Sequence, residues 1–307
     1  MASPKTEEAA TAECLKNALQ GLRPDEDVLI DILCRRTHHQ RQEIRRKYQL
    51  EYRRDLIDDA RHKFRGKFGE VVVALLTPMP EYLAQELHRA LRGRRQEVFL
   101  EVFCSYDNTI NRAIKKAYYE SYAITLESAI RSQHLDDFQM LLESLVSNER
   151  DEEDAAIPEL PLRVARQLYQ AVGGAEPDKG ELRRIFTTYS YQTLRDIFQM
   201  YCEVAGKQLE DVLRGKADSD EFFEGLLTAY YSIQNPTAFF AREFRSSMEG
   251  LGTRDRQLIR LVVTRSQVDM KAIKNEYKRI FNRSLKKDIK GDTLGSYRRI
   301  LLALVDS

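Results

Sequence analysis

A ladder of apolar residues spaced by four occurs four times in this chain: Ile44, Tyr48, Tyr52, Leu56; Ile114, Tyr118, Tyr122, Leu126; Ile197, Tyr201, Ala205, Leu209; and Ile273, Tyr277, Phe281, Leu285. Steps of four keep each set on one slowly drifting face of a helix, which a strand of period two cannot do. The sets are offset by 70, 83 and 76 residues, so one unit has been repeated four times. A second register agrees: Tyr82, Leu83, Ala84, Glu86 and Leu87 match Phe239, Phe240, Ala241, Glu243 and Phe244, and the same offset pairs Gly93 with Gly250. Because the tyrosines recur with the unit, they read as core packing and not as a ligand box.

Only 14 Gly and 8 Pro occur in 307 residues, and 42% of the chain is hydrophobic, which together predict an all-α protein with a sufficient core. Turn and capping residues divide each unit into about five short helices. In the last unit they are expected near Ala238–Met248, Arg254–Thr264, Gln267–Phe281, Leu285–Lys290 and Leu294–Val305, with breaks at Gly250, Gly252, Ser266, Ser284 and Gly291. The segment Asn148–Leu160, with six acids and a proline, reads as a solvated linker that separates the chain into halves of two units each. The expected boundaries are a tail at 1–13, repeats at 14–77, 78–147, 161–233 and 234–307, and the linker at 148–160.

Lys and Arg number 49 against 48 acids, so any electrostatic targeting must be local. The basic run Arg35–Arg54 is interleaved with Glu43 and Glu51, as on a solvated helix face, which argues against nucleic acid. Cys14, Cys34, Cys104 and Cys202 are far apart and suit buried thiols in a reducing, cytoplasmic compartment. The N-terminus has neither a signal-peptide core nor a glycine at position 2, and the apolar runs Val71–Leu76 and Ile300–Val305 have buried-helix length. His38 and His39 are adjacent, not four apart, so a capping or surface role is expected in place of zinc. No nucleophile elbow, phosphate loop or zinc-protease motif is present, and the expectation is that the chain is not an enzyme.

The richest stretch is Met248-Glu249-Gly250-Leu251-Gly252-Thr253, followed after 38 intervening residues by Asp292. Glycines let a loop turn several carbonyls toward one point, and a hard cation such as Ca²⁺ wants six to eight oxygens, including a carboxylate from elsewhere. The alternative is that the glycines only end one helix and begin another, with Asp292 a solvated acid. The stretch resembles the endonexin motif of the annexin family, and with the four units, the linker and the short tail the resemblance runs from Leu15 to Val305. It implies a superhelical array of four repeats. It also implies that the carbonyls of Met248, Gly250 and Gly252 and the carboxylate of Asp292 bind Ca²⁺, leaving positions for water or lipid phosphate.

The other units depart from the pattern. The first has Gly21, Arg23 and Pro24 with Lys63 at the position of the acid; the second has Gly93, Arg94 and Arg95 with Gln133; the third has Glu176 and Pro177 with Lys216. An ammonium repels Ca²⁺ and offers no lone pair, so one intact site is expected, in the fourth unit. If the units face one lipid surface as in the family, then Arg23, Lys63, Arg92, Arg94, Arg95 and Lys216 lie near it, either as direct phosphate contacts or as ordinary surface cations left after drift. The resulting expectation is a peripheral protein on the cytoplasmic face of anionic, phosphatidylserine-like membranes, bound through Ca²⁺ and stabilised by self-association on the bilayer. The rival reading is a calcium-independent helical scaffold for proteins such as cytoskeletal partners.

Overall fold

The computed structural model describes residues 7–20, 24–93, 95, 97–133, 136–152, 159–174, 176–250 and 252–306, and among them twenty helices and no strand. The first repeat holds α1 (Glu7–Leu19), α2 (Glu26–Arg35), α3 (His38–Tyr52), α4 (Leu56–Lys63) and α5 (Gly66–Leu76). The second holds α6 (Met79–Gly93), α7 (Glu97–Phe103), α8 (Asn108–Tyr122), α9 (Leu126–Arg131) and α10 (Asp137–Ser147). The third holds α11 (Leu160–Gly173), α12 (Lys179–Thr188), α13 (Tyr191–Ala205), α14 (Leu209–Ala217) and α15 (Glu221–Gln234). The fourth holds α16 (Pro236–Ser247), α17 (Asp255–Arg265), α18 (Met270–Phe281), α19 (Leu285–Asp292) and α20 (Gly295–Asp306).

The breaks have local causes. Asp25, Asp55, Asp107, Thr125, Asp136, Asp178 and Asp220 each accept an N–H in the first turn of the next helix, and Thr37 and Gln40 form a reciprocal capping box. The third helix of every repeat ends on a left-handed residue at one matched position: Arg53 (φ 54), Ala123 (φ 56), Gly206 (φ 66) and Asn282 (φ 50). α19 runs through Gly291 to Asp292, so that glycine does not break the helix. α1 begins at Glu7 and buries Ala9 and Ala12, which takes residues 7–13 out of the expected tail: small side chains there let the helix pack closely.

The ladder is core. Its first, second and fourth members are buried in all four repeats, while Tyr52, Tyr122, Ala205 and Phe281 are half-buried at the drifting edge of the face. Cys34 and Cys104 are also buried, and burial pushes their thiols up to about 12 and about 11, far from thiolate chemistry. Cys202 is half-buried and Cys14 exposed, so the expectation of buried thiols holds for two of the four.

Two compact units result, one of residues 1–82 and 237–307, the other of 83–236. The first repeat therefore pairs with the fourth and the second with the third, instead of each half of the chain closing on itself. Both units use one plan: α5 packs on α17 and α20, and α20 on α2, just as α10 packs on α12 and α15, and α15 on α7. An ion pair stands at the same place in each with its signs exchanged, Lys67 with Asp255 (3.8 Å) and Asp137 with Lys179 (2.8 Å). The described part of the acidic segment is mostly exposed, as its composition suggests, and two of its residues also tie it to the second unit. Arg150 donates to the carbonyls of Tyr189 (2.6 Å) and Phe186 (2.8 Å) and stacks on Tyr191, and Glu152 accepts the Asn108 N–H at the start of α8. Helix-end carbonyls and N–H groups need such partners, which the charged segment supplies.

Candidate functional site

α16 stops at Ser247 and α17 starts at Asp255, with Gly250 (φ 96) and Gly252 (φ 90) between them. No atom lies within 4 Å of a Cβ built on either glycine, so the requirement is conformational, not one of space. The turn is closed by the Met248 N–H on the Arg245 carbonyl (3.0 Å) and the Arg254 N–H on the Ser247 carbonyl (2.8 Å). Among the described residues the carbonyls of Met248, Gly250 and Gly252 accept no hydrogen bond, which leaves their lone pairs to a ligand at a negatively polarised helix end. Asp292, the last residue of α19, is tied to this loop: the Thr253 hydroxyl lies 2.5 Å from its carboxylate and 3.1 Å from its carbonyl.

A second cluster holds α19 in place. The Asp288 carboxylate accepts from Tyr277 (2.7 Å), from Arg283 through two nitrogens (2.6 and 2.9 Å), and from Arg245 of α16 at 3.4 Å. Arg245 also pairs with Glu249 (2.7 Å), next to Gly250, so one guanidinium touches both elements that build the site. Burial raises the Asp288 carboxyl, but the hydrogen bonds from Arg283 and Tyr277 outweigh it and hold the group below the usual carboxylate range. Sequence reading missed this cluster. Its signal was present as the spacing of Tyr277 and Asp288, which recurs in Tyr48 and Asp59.

Carbonyl and carboxylate oxygens are hard donors, suited to a hard cation and not to a soft one. No group of three His, Cys, Asp or Glu suited to a metal occurs among the described residues.

Described residues flanking two of the matched loops make the same closing bond. Asp25 N–H reaches the Ala18 carbonyl (2.9 Å) and Asp178 N–H the Ala171 carbonyl (2.9 Å), equivalent to the closure by Arg254. In the second repeat the closure slips to Arg95 on Ala90 (3.0 Å). Lys63 is exposed at the end of α4, where the fourth repeat has Asp292. Lys216 stands at that place in α14 with its ammonium 5.4 Å from the Phe223 ring centroid. Arg92 is exposed, and Arg95 is half-buried and 3.3 Å from Glu97. Arg23 and Arg94 lie outside the described residues. His38 has the expected capping-region role: it opens α3, and its Nε2 accepts the Met79 N–H (3.2 Å).

Comparison with known proteins agrees with the repeat count. The family model described as Annexin matches residues 10–75, 82–145, 163–229 and 239–304. Annexin B10 of Drosophila melanogaster is 35% identical over 302 residues, covering 96% of this chain and 94% of the relative. The solved structure of annexin III superposes with a TM-score of 0.94 at 30% identity, covering 100% of this chain and 96% of that one. Calcium-bound annexin (Sm)1 does so at 0.87 and 29%, covering 99% and 92%. Among the described residues no helix is long and apolar enough to cross a membrane. The chain is a member of the annexin family, whose four-repeat proteins bind calcium and phospholipid at the membrane surface.

Proposed function

We propose that the fourth repeat attaches this protein to anionic phospholipid through Ca²⁺ held by the carbonyls of Met248, Gly250 and Gly252 and the carboxylate of Asp292. When bound, the ion supplies open coordination positions that lipid phosphate oxygens can fill. The observation that carries this reading is the unbonded carbonyls of a left-handed glycine loop whose own Thr253 pins Asp292 at 2.5 Å. Thr253 orients the carboxylate, and Arg245, Arg283 and Tyr277 hold the helix behind it. Leu294, 76% exposed and two residues past Asp292, offers an apolar side chain for the headgroup layer.

The cations that replace the acid elsewhere supplement this attachment at low salt, each by about 1 kcal/mol near an anionic bilayer. Arg92 is well suited, being exposed, whereas Arg95 shares its charge with Glu97. With one calcium site, stable attachment draws on self-association at the membrane through avidity.

Sedimentation with phosphatidylserine vesicles, in calcium and in chelator, at low and physiological salt, tests both parts. Binding in calcium that Asp292→Ala removes supports the fourth-repeat site. Binding in chelator that disappears at physiological salt supports the fixed cations. No binding in any condition refutes the membrane reading and favours a protein scaffold.

A further inference from the structure

The two compact units share one plan but not one charge. The first unit has 31 Lys and Arg against 22 Asp and Glu, and the second has 18 against 26. An excess of nine cations in one thus stands against an excess of eight acids in the other, hidden in a whole-chain charge of +1. Nearly all of the positive excess belongs to the fourth repeat, where residues 237–307 hold 16 Lys and Arg and eight acids.

α18 and α19 carry much of it. Arg279, Arg283 and Lys286 have acids beside them in Glu276, Asp288 and Asp306. Lys271, Lys278, Lys287 and Lys290 are exposed and have neither hydrogen bond nor ion pair among the described residues. Lys271 and Lys278 lie two turns apart on one side of α18, and Lys287 and Lys290 one turn apart on α19, which packs on α18. The matched helices of the second unit are α13 and α14. Apart from the ligand position, where Lys216 stands for Asp292, the signs there run the other way: Glu203 replaces Arg279, Glu210 replaces Lys286 and Asp211 replaces Lys287. Glu203 and Asp211 are exposed and also lack a hydrogen bond or ion pair among the described residues, as does Asp218 at the end of α14.

Like charges gathered on one face repel, and a surface of opposite sign relieves them. Every molecule of this protein carries such a surface on its other unit. We propose that the α18–α19 face of one copy docks on the α13–α14 face of a second copy. The contact joins unlike patches, needs neither calcium nor lipid, and does not rest on the membrane reading above. Exposed ion pairs are individually weak and are screened beyond about 8 Å at physiological ionic strength, so several act together and salt sets the strength of the association.

Sedimentation equilibrium of the full chain in chelator, without lipid, at ~0.02 M and ~0.5 M salt tests this. The expected result is a mass above that of one chain at low salt that returns to one chain at high salt. Lys278→Glu with Lys287→Glu, or Glu203→Lys with Asp211→Lys, should each weaken the low-salt association at least about tenfold, since attractive pairs become repulsive ones. Mixing the two double variants should restore it, because the reversed faces again meet opposite charge. Arg65→Glu with Arg256→Glu makes the same change in net charge on exposed residues elsewhere in the first unit, and should alter the association by no more than about twofold. A single-chain mass at low salt, association that survives either reversal or ~0.5 M salt, or equal weakening by the Arg65 and Arg256 pair would overturn the proposal.

Discussion

Tyr48 in the first repeat and Tyr277 in the fourth each donate to a buried aspartate, Asp59 and Asp288, both at 2.7 Å, and each aspartate is clasped by an arginine five residues before it, Arg54 or Arg283. The matched tyrosines of the other unit have no such acid. Ala129 and Val212 stand at its place, the Tyr118 hydroxyl turns to His88 (3.1 Å), and the Tyr201 hydroxyl has no partner among the described residues. The two units thus share backbone and apolar faces but differ in polar anchoring. The first repeat keeps its anchor although Lys63 has replaced the ligand acid. That shows the Tyr–Asp–Arg cluster fastening the fourth helix to the third irrespective of any cation, and in the fourth repeat it also positions Asp292.

The largest expected contrast lies at the ligand position itself. Asp292→Ala should weaken calcium-dependent vesicle binding by about a hundredfold or more, since it removes the one charged donor. Lys216→Asp should not create a second site, because Glu176 and Pro177 stand where the fourth repeat has Gly252 and Thr253. A calcium titration in which Lys216→Asp adds a binding event would mean that the acid alone decides.

Anchoring can be broken next. Asp288→Ala removes the acceptor of the Tyr277 hydroxyl and the partner of Arg283, and should cost ~2 kcal/mol in urea unfolding. Tyr201→Phe in the other unit should be neutral or slightly stabilising, because the hydroxyl it removes is buried without a partner. Equal costs for the two would erase the distinction between the units.

Acid should separate the units more gently. His38 and His88 are both held below the ordinary histidine value by burial, so each unit loses some stability as pH falls below about 6.5. Asp59, held down chiefly by Arg54, and Asp288, held down by Arg283 and Tyr277 against burial, contribute stability that is full above about pH 3.9. It is lost as pH falls through their lower folded values. The second unit has the more exposed Glu149 and Glu181 in such a role. Hydrogen exchange near pH 3 should therefore show α4 and α19 losing more protection, relative to neutral pH, than α9 and α14.

The smallest effects concern the matched left-handed caps. Arg53→Gly and Ala123→Gly should each stabilise by ~0.5–1 kcal/mol, and Gly206→Ala should destabilise by a similar amount, as thermal melts would register.

Much of this was readable in advance. The ladder predicted which faces are buried, and the fourth-repeat helices fall within a few residues of their expected ends. The loop and Asp292 were picked out by their resemblance to the family motif, and in the structure Thr253 links them. Other features were not readable. The described part of the acidic run at 148–160 is exposed, as composition suggests, but the bonds of Arg150 and Glu152 to helix ends could not be foreseen because only the folded unit presents those ends. The tail boundary was misjudged because Ala9 and Ala12 are too small to mark an apolar stripe.

Helical periodicity and capping residues are local, repeated properties, so the sequence by itself determined the four five-helix repeats and the glycine loop of the fourth. Which repeats pair, and how Arg245 and Asp288 join α16 to α19, were decided only in the tertiary structure. These depend on side chains from distant segments, and their partners exist only once the helices have packed.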